Sequence, residues 1–523
     1  MEFSAHFINS LHNVIAGLYF APNRAILYLG TSNKVLFSAF LHNLFPATSN
    51  PQGRKGLVRK VTKLNLDSPQ KIHFIGIGGI SMSAIAELLH SKGFTVSGSD
   101  DKKSRHTERL EALGVEIMYG NRTDNIRNDF DLIVYTAAIR KDNPEFQAAC
   151  ASGIPMFTRA ELLGQIMLAY NDAVGIAGTH GKTTTTSMLS LIQLDAGFDP
   201  TILVGGDLPD IEGNLRMGNS SHLVMEACEY TNSFLHFFPK HAIILNIEAD
   251  HLDFFKDLDD IRCSFRKYME LLPESGQLVI NGKIDHLSTL TNGLSCNVVT
   301  FGVSADDSAA FDYTATSIVF DNLGRASFEI FCKGSFLSSI QLAVPGVHNV
   351  ENALAAIAMG HSLGADMSAR RSALSRFTGT KRRFELKGTL GGITIIDDYA
   401  HHPAEIRAAL TSARSYGTHR VVCVFQPHTY TRTRALLPDF ADALTLADLI
   451  VLPDIYPARE EDPGDISSRD LESLLRQKGK DVYYFSSFDE IESFLRKVCL
   501  DGDLLITMGA GDVVNIGESL LSQ

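Results

Sequence analysis

The run Gly178-Thr179-His180-Gly181-Lys182-Thr183 limits the possible folds of this chain more than any other feature. It stands between an apolar stretch, AVGIAG (Ala173–Gly178), and the helical-period stretch TTTTSMLSLIQLDAG, so it reads as strand, glycine turn and helix. Such a turn aims backbone N–H groups and a helix N-terminus at one spot, where a phosphate is held. From there Lys182 reaches β and γ oxygens, and the Thr183 hydroxyl is placed to ligate magnesium. The general phosphate-loop pattern asks for glycine where Ile176 stands, so this is a variant, with its spare glycines at Gly175 and Gly178. Lys182 is expected on an exposed loop. A strand feeding a loop of this kind belongs to an open, mostly parallel α/β sheet.

Two more blocks of alternating strand and helix flank this one. Upstream, KIHFI runs into Gly76-Ile77-Gly78-Gly79-Ile80-Ser81, then a helical period, then the strand FTVSGSD ending at Asp100. The loop has the dinucleotide-binding spacing except that Ser81 replaces the third glycine. On this pattern alone NAD and the pyrophosphate of another nucleotide are equal candidates, with Asp100 at the ribose position. Strands over 115–118 and 131–136 extend the unit to a doubly wound sheet ending near Asn171. Downstream, strands over 392–397, 421–426, 449–453 and 504–508 form a third block. The 523 residues thus divide into an extension (1–68), expected to be disordered, and domains over 69–171, 172–378 and 379–523. The fold class expected is α/β, with Rossmann-like first and third domains around a phosphate-loop ATPase domain.

Composition excludes several functions. Lys+Arg of 47 against Asp+Glu of 60 leaves a net charge of −13, which disfavours diffuse binding to nucleic acid, so bound phosphate needs a dedicated site. The seven cysteines include no CxxC pair, fitting reduced thiols in a cytoplasm. No run supplies the ~18 consecutive apolar residues of a membrane span.

Further candidates lie at strand ends. Glu226 and Glu229 follow one strand of the central block, and Glu248, Asp250, His251 and Asp253 follow another. Carboxylates and an imidazole beside a phosphate loop are what magnesium on ATP requires. In the third block, Asp397-Asp398-Tyr399-Ala400-His401-His402-Pro403 and Phe425-Gln426-Pro427-His428-Thr429-Tyr430-Thr431-Arg432 fall on the ligand side of a parallel sheet. His402-Pro403 also reads as a helix start with solvated imidazoles. MGAGD (Met508–Asp512) reads equally as a ligand loop and a plain turn.

Eight segments taken together, HFIGIGGISMSAIA, GIAGTHGKTTTTSML, NIEADHLDFF, PGVHNVENALAA, GTKRRFE, DDYAHHPAEI, FQPHTYTRTR and MGAGD, resemble the Mur ligase family over about residues 70–520. The first segment points to its alanine-adding branch. The resemblance implies ATP-dependent ligation of L-alanine to the lactyl carboxylate of UDP-N-acetylmuramate through an acyl phosphate, in peptidoglycan precursor synthesis. It implies ATP and Mg2+ as cofactors, and a cytoplasmic monomer or homodimer that binds no nucleic acid. Carried over motif by motif, Gly178, Thr179, His180, Gly181, Lys182, Thr183 and Thr184 hold phosphates. His348, Asn349 and Asn352 match the adenine motif, Arg383 the γ-phosphate contact and Asp398 a ribose-side acid. Thr183, Glu229 and His251 fall at the metals; Lys182, His251 and Arg383 are the catalytic set. Tyr399, His401 and Arg432 hold the amino acid, and Gly76, Gly78, Gly79, Ser81 and Asp100 the UDP group, which displaces the dehydrogenase reading.

The family pattern is altered at Cys228-Glu229-Tyr230-Thr231, which lacks two usual acids, at Gly120-Asn121, at Thr136-Ala137-Ala138-Ile139, and at Thr429, where a basic residue is usual. Relatives that add murein tripeptides, folylpolyglutamate-type or cyanophycin-type ligases, and an inactive nucleotide-binding relative are the alternative readings.

Overall fold

A computed structural model describes residues 64–523, apart from 67, 137–138, 253, 417–418, 459 and 523, together with the paired two-residue strands Phe20–Ala21 (β1) and Arg24–Ala25 (β2). The expectation of a disordered extension therefore lies outside the described residues except at its end, and there it needs correction. Leu64 is buried in the core of the first domain, with Leu66 packed beside it. The Leu64 N–H donates to Gln165 Oε1 at 3.2 Å. The folded body thus begins before residue 69.

The first sheet is parallel throughout: Lys71–Ile75 (β3), Thr95–Asp100 (β4), Glu116–Tyr119 (β5), Leu132–Tyr135 (β6) and Met156–Thr158 (β7), in the order β5-β4-β3-β6-β7. The near-continuous apolar run of β3 fits a strand covered on both faces. Its one buried polar residue, His73, has Nδ1 at 3.0 Å from Ser97 Oγ and Nε2 at 2.8 Å from Glu145 Oε1.

The central sheet has ten strands. These are Asp172–Ala177 (β8), Thr201–Leu208 (β9), Gly213–Arg216 (β10), His222–Glu226 (β11), His241–Ile244 (β12), Gln277–Asn281 (β13), Asn297–Val303 (β14), Tyr313–Phe320 (β15), Arg325–Cys332 (β16) and Ser335–Pro345 (β17). Their order is β10-β9-β11-β8-β12-β13-β14-β15-β16-β17, parallel from β9 to β15 with antiparallel additions at both edges. The third sheet comprises Glu385–Leu390 (β18), Ile393–Asp398 (β19), Arg420–Phe425 (β20), Leu449–Leu452 (β21), Asp481–Tyr484 (β22) and Asp503–Met508 (β23), ordered β18-β19-β23-β20-β21-β22 with only β18 antiparallel. All three sheets carry helices between parallel strands, which is the α/β architecture expected. The segment HAIILNIEAD is strand only to Ile244, because the chain turns there to meet the phosphate loop.

The first and central domains share a continuous core. The helix Arg159–Met167 packs so closely on the turn Tyr230–His236 that a Cβ on Gly164 would lie 1.9 Å from the His236 carbonyl oxygen. Only glycine permits that approach. Among the described residues, no helix is long and apolar enough to cross a membrane.

Candidate active site

β8 delivers the chain to the phosphate loop, and the sequence there dictates its shape. Gly178 and Gly181 have φ of 147° and 84°, conformations side chains resist. A Cβ on Gly181 would also stand 2.5 Å from Asn352 Oδ1. Asn246 grips the loop from the end of β12: its Oδ1 accepts the His180 N–H at 2.8 Å and its Nδ2 donates to the His180 carbonyl at 3.2 Å. The helix Lys182–Asp195 starts at Gly181 without a side-chain cap. Its first N–H groups are thus available to an anion, as phosphate binding requires.

Lys182 corrects the expectation of an exposed side chain. Its side chain is only 16% accessible, and its Nζ lies 2.9 and 3.1 Å from the two oxygens of Glu229, itself 3% accessible. The same ammonium donates to the Thr179 carbonyl at 3.1 Å and to the Gly178 carbonyl. Burial alone would lower its pKa, but the Glu229 carboxylate outweighs this and holds the ammonium above the ordinary lysine range. The loop residues are themselves buried or half-buried, and the cation is folded inward onto an acid.

Beside this pair His251 adopts φ 53° and places Nε2 at 3.8 Å from Glu229 Oε1 and 3.7 Å from Asp250 Oδ2. The Tyr230 ring lies 4.4 Å from the imidazole, between centroids. Glu226 faces the same cavity while accepting the Gly205 N–H. Among the described residues, no three His, Cys, Asp or Glu side chains are gathered to hold a metal by themselves. The oxygen donors of Thr183 and Glu229 suit magnesium, which takes few protein ligands and completes its shell with phosphate and water. The residues therefore fit that ion on a nucleotide. Asp253 lies outside the described residues.

The opposite wall comes from the third domain. One cavity of about 660 Å³ is lined both by the phosphate loop and by Arg383, Asp398, His401 and Glu405. His180 joins the two sides, with Nε2 3.5 Å from Glu248 Oε2 and Nδ1 3.5 Å from Glu405 Oε1. These are ionic contacts rather than aligned hydrogen bonds, since neither ring nitrogen has a hydrogen-bond partner. Burial opposes protonation, but the two carboxylates prevail and raise the imidazole to about 9. Glu405 also accepts the His401 N–H at 3.1 Å and lies 3.6 Å from Arg383 Nη1. Burial would raise its pKa, yet His401, His180 and Arg383 hold it well below the usual carboxylate range.

Asp398 accepts the backbone N–H groups of Phe384 and Ala400 at 2.8 and 2.7 Å, so it fixes the turn that presents Arg383; burial lifts its pKa to about 6. On the far side of the cavity, Asn352 donates to Asn349 Oδ1 at 3.0 Å and Asn349 to the Pro345 carbonyl at 2.7 Å. Burial lowers His348 to about 4, leaving a neutral ring in the cavity wall.

His401 lines the cavity, whereas Tyr399 and Arg432 sit behind it. The Tyr399 ring is covered by Arg382 and Arg383, at 4.9 and 5.3 Å from their guanidinium carbons. Arg432 reaches His428 Nδ1 at 3.3 Å, and the His428 ring lies 5.9 Å from that of His401. His402 does start a helix, Pro403–Arg414, as its N-cap, but the imidazole is buried rather than solvated. Gly76, Gly78, Gly79, Ser81 and Asp100 gather apart from this cavity, at the carboxyl end of the first sheet. There Asp100 Oδ2 accepts the Gly78 N–H at 2.8 Å, so this acid braces the loop itself.

Asn246 and Glu405 were not singled out from the sequence. Glu405 carried a signal, standing at the third helical position after His402, where an acid returns to the preceding backbone N–H. Asn246 carried none beyond its place at a strand end.

Three stretches match known family signatures: residues 71–171 the Mur ligase family catalytic domain, 176–360 the Mur ligase middle domain, and 382–511 the glutamate ligase domain of Mur ligases. The chain belongs to the Mur ligase family. It is 56% identical over 466 residues to the UDP-N-acetylmuramate–L-alanine ligase of Lachnoclostridium phytofermentans, covering 88% of this chain and 99% of that one. The Agathobacter rectalis protein of the same name is 55% identical over 461 residues, covering 88% of this chain and all of its own. Among solved structures, the UDP-N-acetylmuramate–alanine ligase of Thermotoga maritima superposes with a TM-score of 0.73 at 31% identity, covering 87% of this chain and 98% of that one. A murein peptide ligase from Psychrobacter arcticus gives 0.67 at 25% identity, covering the same shares of the two chains.

Proposed function

We propose that this protein joins L-alanine to the lactyl carboxylate of UDP-N-acetylmuramate at the expense of ATP, in peptidoglycan precursor synthesis. The observation that carries the reading is the meeting of two sets of residues in one cavity: a phosphate loop from the central domain, and Arg383 and His401 from the third. Relatives bearing this activity in their names align with nearly the whole body of the chain.

In this reading the loop N–H groups and the helix Lys182–Asp195 cradle the ATP phosphates, and Lys182 leaves Glu229 for them. The Glu229 carboxylate so freed and the Thr183 hydroxyl would hold Mg2+, with His251 alongside. Bound magnesium supplies charge neutralisation for phosphoryl transfer. Arg383 turns from Glu405 to the γ-phosphate, stabilising charge as the lactyl carboxylate attacks it, the bond to the β,γ-bridging oxygen breaks and ADP leaves, giving an acyl phosphate. His348, Asn349 and Asn352 hold the adenine, and Asp398 shapes the ribose side. Tyr399, His401 and Arg432 orient alanine, whose amine displaces phosphate from the acyl carbon. The third domain closing on the cavity excludes water that would otherwise hydrolyse that intermediate. The first domain, with Gly76, Gly78, Gly79, Ser81 and Asp100, receives the UDP group. Domain limits near residues 171 and 378, a cytoplasmic location and a monomer or homodimer belong to the same reading.

Phosphate release measured with purified protein, ATP and Mg2+ tests it. Release that requires both UDP-N-acetylmuramate and L-alanine is expected. Release without the sugar nucleotide, or a tripeptide preferred over alanine as acceptor, overturns it.

A further inference from the structure

Outside the ATP cavity, one cation of the central domain is buried without an anion. Arg370 stands in the helix Met367–Arg376 with 3% of its surface exposed. Its side chain makes one hydrogen bond, from Nε to the Asp366 carbonyl at 3.1 Å, and its buried Nη1 has no partner. The Asp366 carboxylate is turned away to cap the helix, accepting the Ala369 N–H at 2.7 Å. A guanidinium brings five N–H donors, and a buried donor left without an acceptor is costly. In a chain of net charge −13, such a cation is suited to an anion formed or brought beside it.

Three side chains gather around it. Tyr313 in β15 is paired directly across the ladder from Cys332 in β16, so the two side chains are neighbours on one face of the sheet. The Tyr313 hydroxyl donates to His361 Nδ1 near the end of the helix Val347–Ser362. Next to His361, Gly360 lies against the stem of Arg370, where a Cβ would stand 3.6 Å from Arg370 Cδ. Burial lowers the pKa of the guanidinium while Tyr313, Asp366 and Cys332 act to raise it, which puts the phenol and the thiol within its electrostatic reach. Burial, with Cys332 alongside, holds the phenol above its ordinary range, so Tyr313 stays neutral and gives the cation no charge partner. The thiol is the neighbour that oxidation converts to an oxyanion. Cys332 is half-buried, whereas Cys150 and Cys263 are exposed. Accessibility alone favours those two; an electropositive setting favours Cys332.

We propose that Cys332 is a site of oxidation by hydroperoxides, and that Arg370 receives the sulfenate oxygen so formed. In this step the peroxide O–O bond breaks as an S–O bond forms. The sulfur gives two electrons to the peroxide, the thiol proton leaves in the water or alcohol released, and Cys–SOH remains. Loss of the sulfenic proton to solvent leaves an oxyanion, to which Nη1 donates a charge-assisted hydrogen bond. The orphan donor thereby gains its acceptor.

Treatment of the full chain with a few equivalents of hydrogen peroxide, followed by dimedone trapping and peptide mass spectrometry at each cysteine, tests the assignment. Cys332 is expected to be labelled ~10-fold faster than Cys150 and Cys263, and Arg370→Met to remove that advantage while leaving their rates unchanged. Labelling of Cys296 and Cys423, both buried in the native chain, reports a variant that has unfolded. A second measurement needs no Arg370 variant: peroxide should raise the Tm of wild type by ~3–12 °C, because the orphan donor gains a partner, and leave that of Cys332→Ser unmoved. Labelling of Cys332 no faster than that of Cys150 or Cys263 overturns the proposal. So does undiminished labelling of Cys332 in a folded Arg370→Met chain, or a wild-type Tm that peroxide leaves unchanged or lowers. Should Arg370→Met unfold, the Tm of wild type against Cys332→Ser decides.

Discussion

Replacing Lys182 by methionine should do more than stop the reaction. The ammonium and the Glu229 carboxylate are 2.9 Å apart with side chains 16% and 3% accessible, so removing the cation strands a buried acid. Breaking such a pair from one side costs about 3–5 kcal/mol. A domain of some two hundred residues shifts its midpoint by about 2–4 °C per kcal/mol, which makes the expected fall in Tm of the nucleotide-free protein roughly 6–20 °C. Glu229→Gln should cost less, because the Gly178 and Thr179 carbonyls still accept from the ammonium. The double variant Lys182→Met/Glu229→Gln should regain at least half of the loss, since removing both charges leaves none unpaired. Its phosphate release should stay at least tenfold below wild type, equivalent to ~1.4 kcal/mol of barrier. Scanning calorimetry without nucleotide, beside a phosphate-release assay, separates the two effects. If Lys182→Met melts within about 2 °C of wild type, or the double variant is no more stable than it, the ion pair is not what holds this loop.

Three other outcomes are expected. His180 has a folded-state pKa near 9, above its unfolded value of 6.5, so its ionic contacts stabilise fully below pH 6.5 and are lost as pH rises through 9. Thermal unfolding from pH 6 to 9.5 should show that decline in wild type and not in His180→Gln; parallel curves would remove the imidazole from the contact between central and third domains. Chains beginning at Lys63 and at Ser68 differ by buried Leu64, and the shorter should be less stable by ~1.5–3 kcal/mol; equal melting would deny Leu64 its place in the core. Thr429→Arg adds a charge-assisted donor three residues before Arg432 and should lower the KM for L-alanine several-fold without altering that for ATP. If KM for alanine does not move, or glutamate proves the best acceptor, the amino-acid site does not lie at Tyr399, His401 and Arg432.

The parts of this molecule legible in its sequence are those written within one turn of chain. Gly178 and Gly181 impose φ values that only a few residue types accept, and a strand before and a helix after fix where the resulting N–H groups point. The same holds for Gly76 and for the acids at strand ends, because a parallel sheet collects those ends on one side whatever the intervening chain does. What was not legible depends on which distant side chains meet. Lys182 and Glu229 are 47 residues apart. Glu405 reads locally as a helix cap and becomes a bridge to His180 only when two domains face each other. A loop's backbone shape is thus encoded by its own residues, while the partner of its cation is set by packing elsewhere. For that reason the glycine spacing could announce a phosphate site and still misjudge Lys182, whose burial depends on an acid that follows β11, the strand paired beside β8 in the sheet.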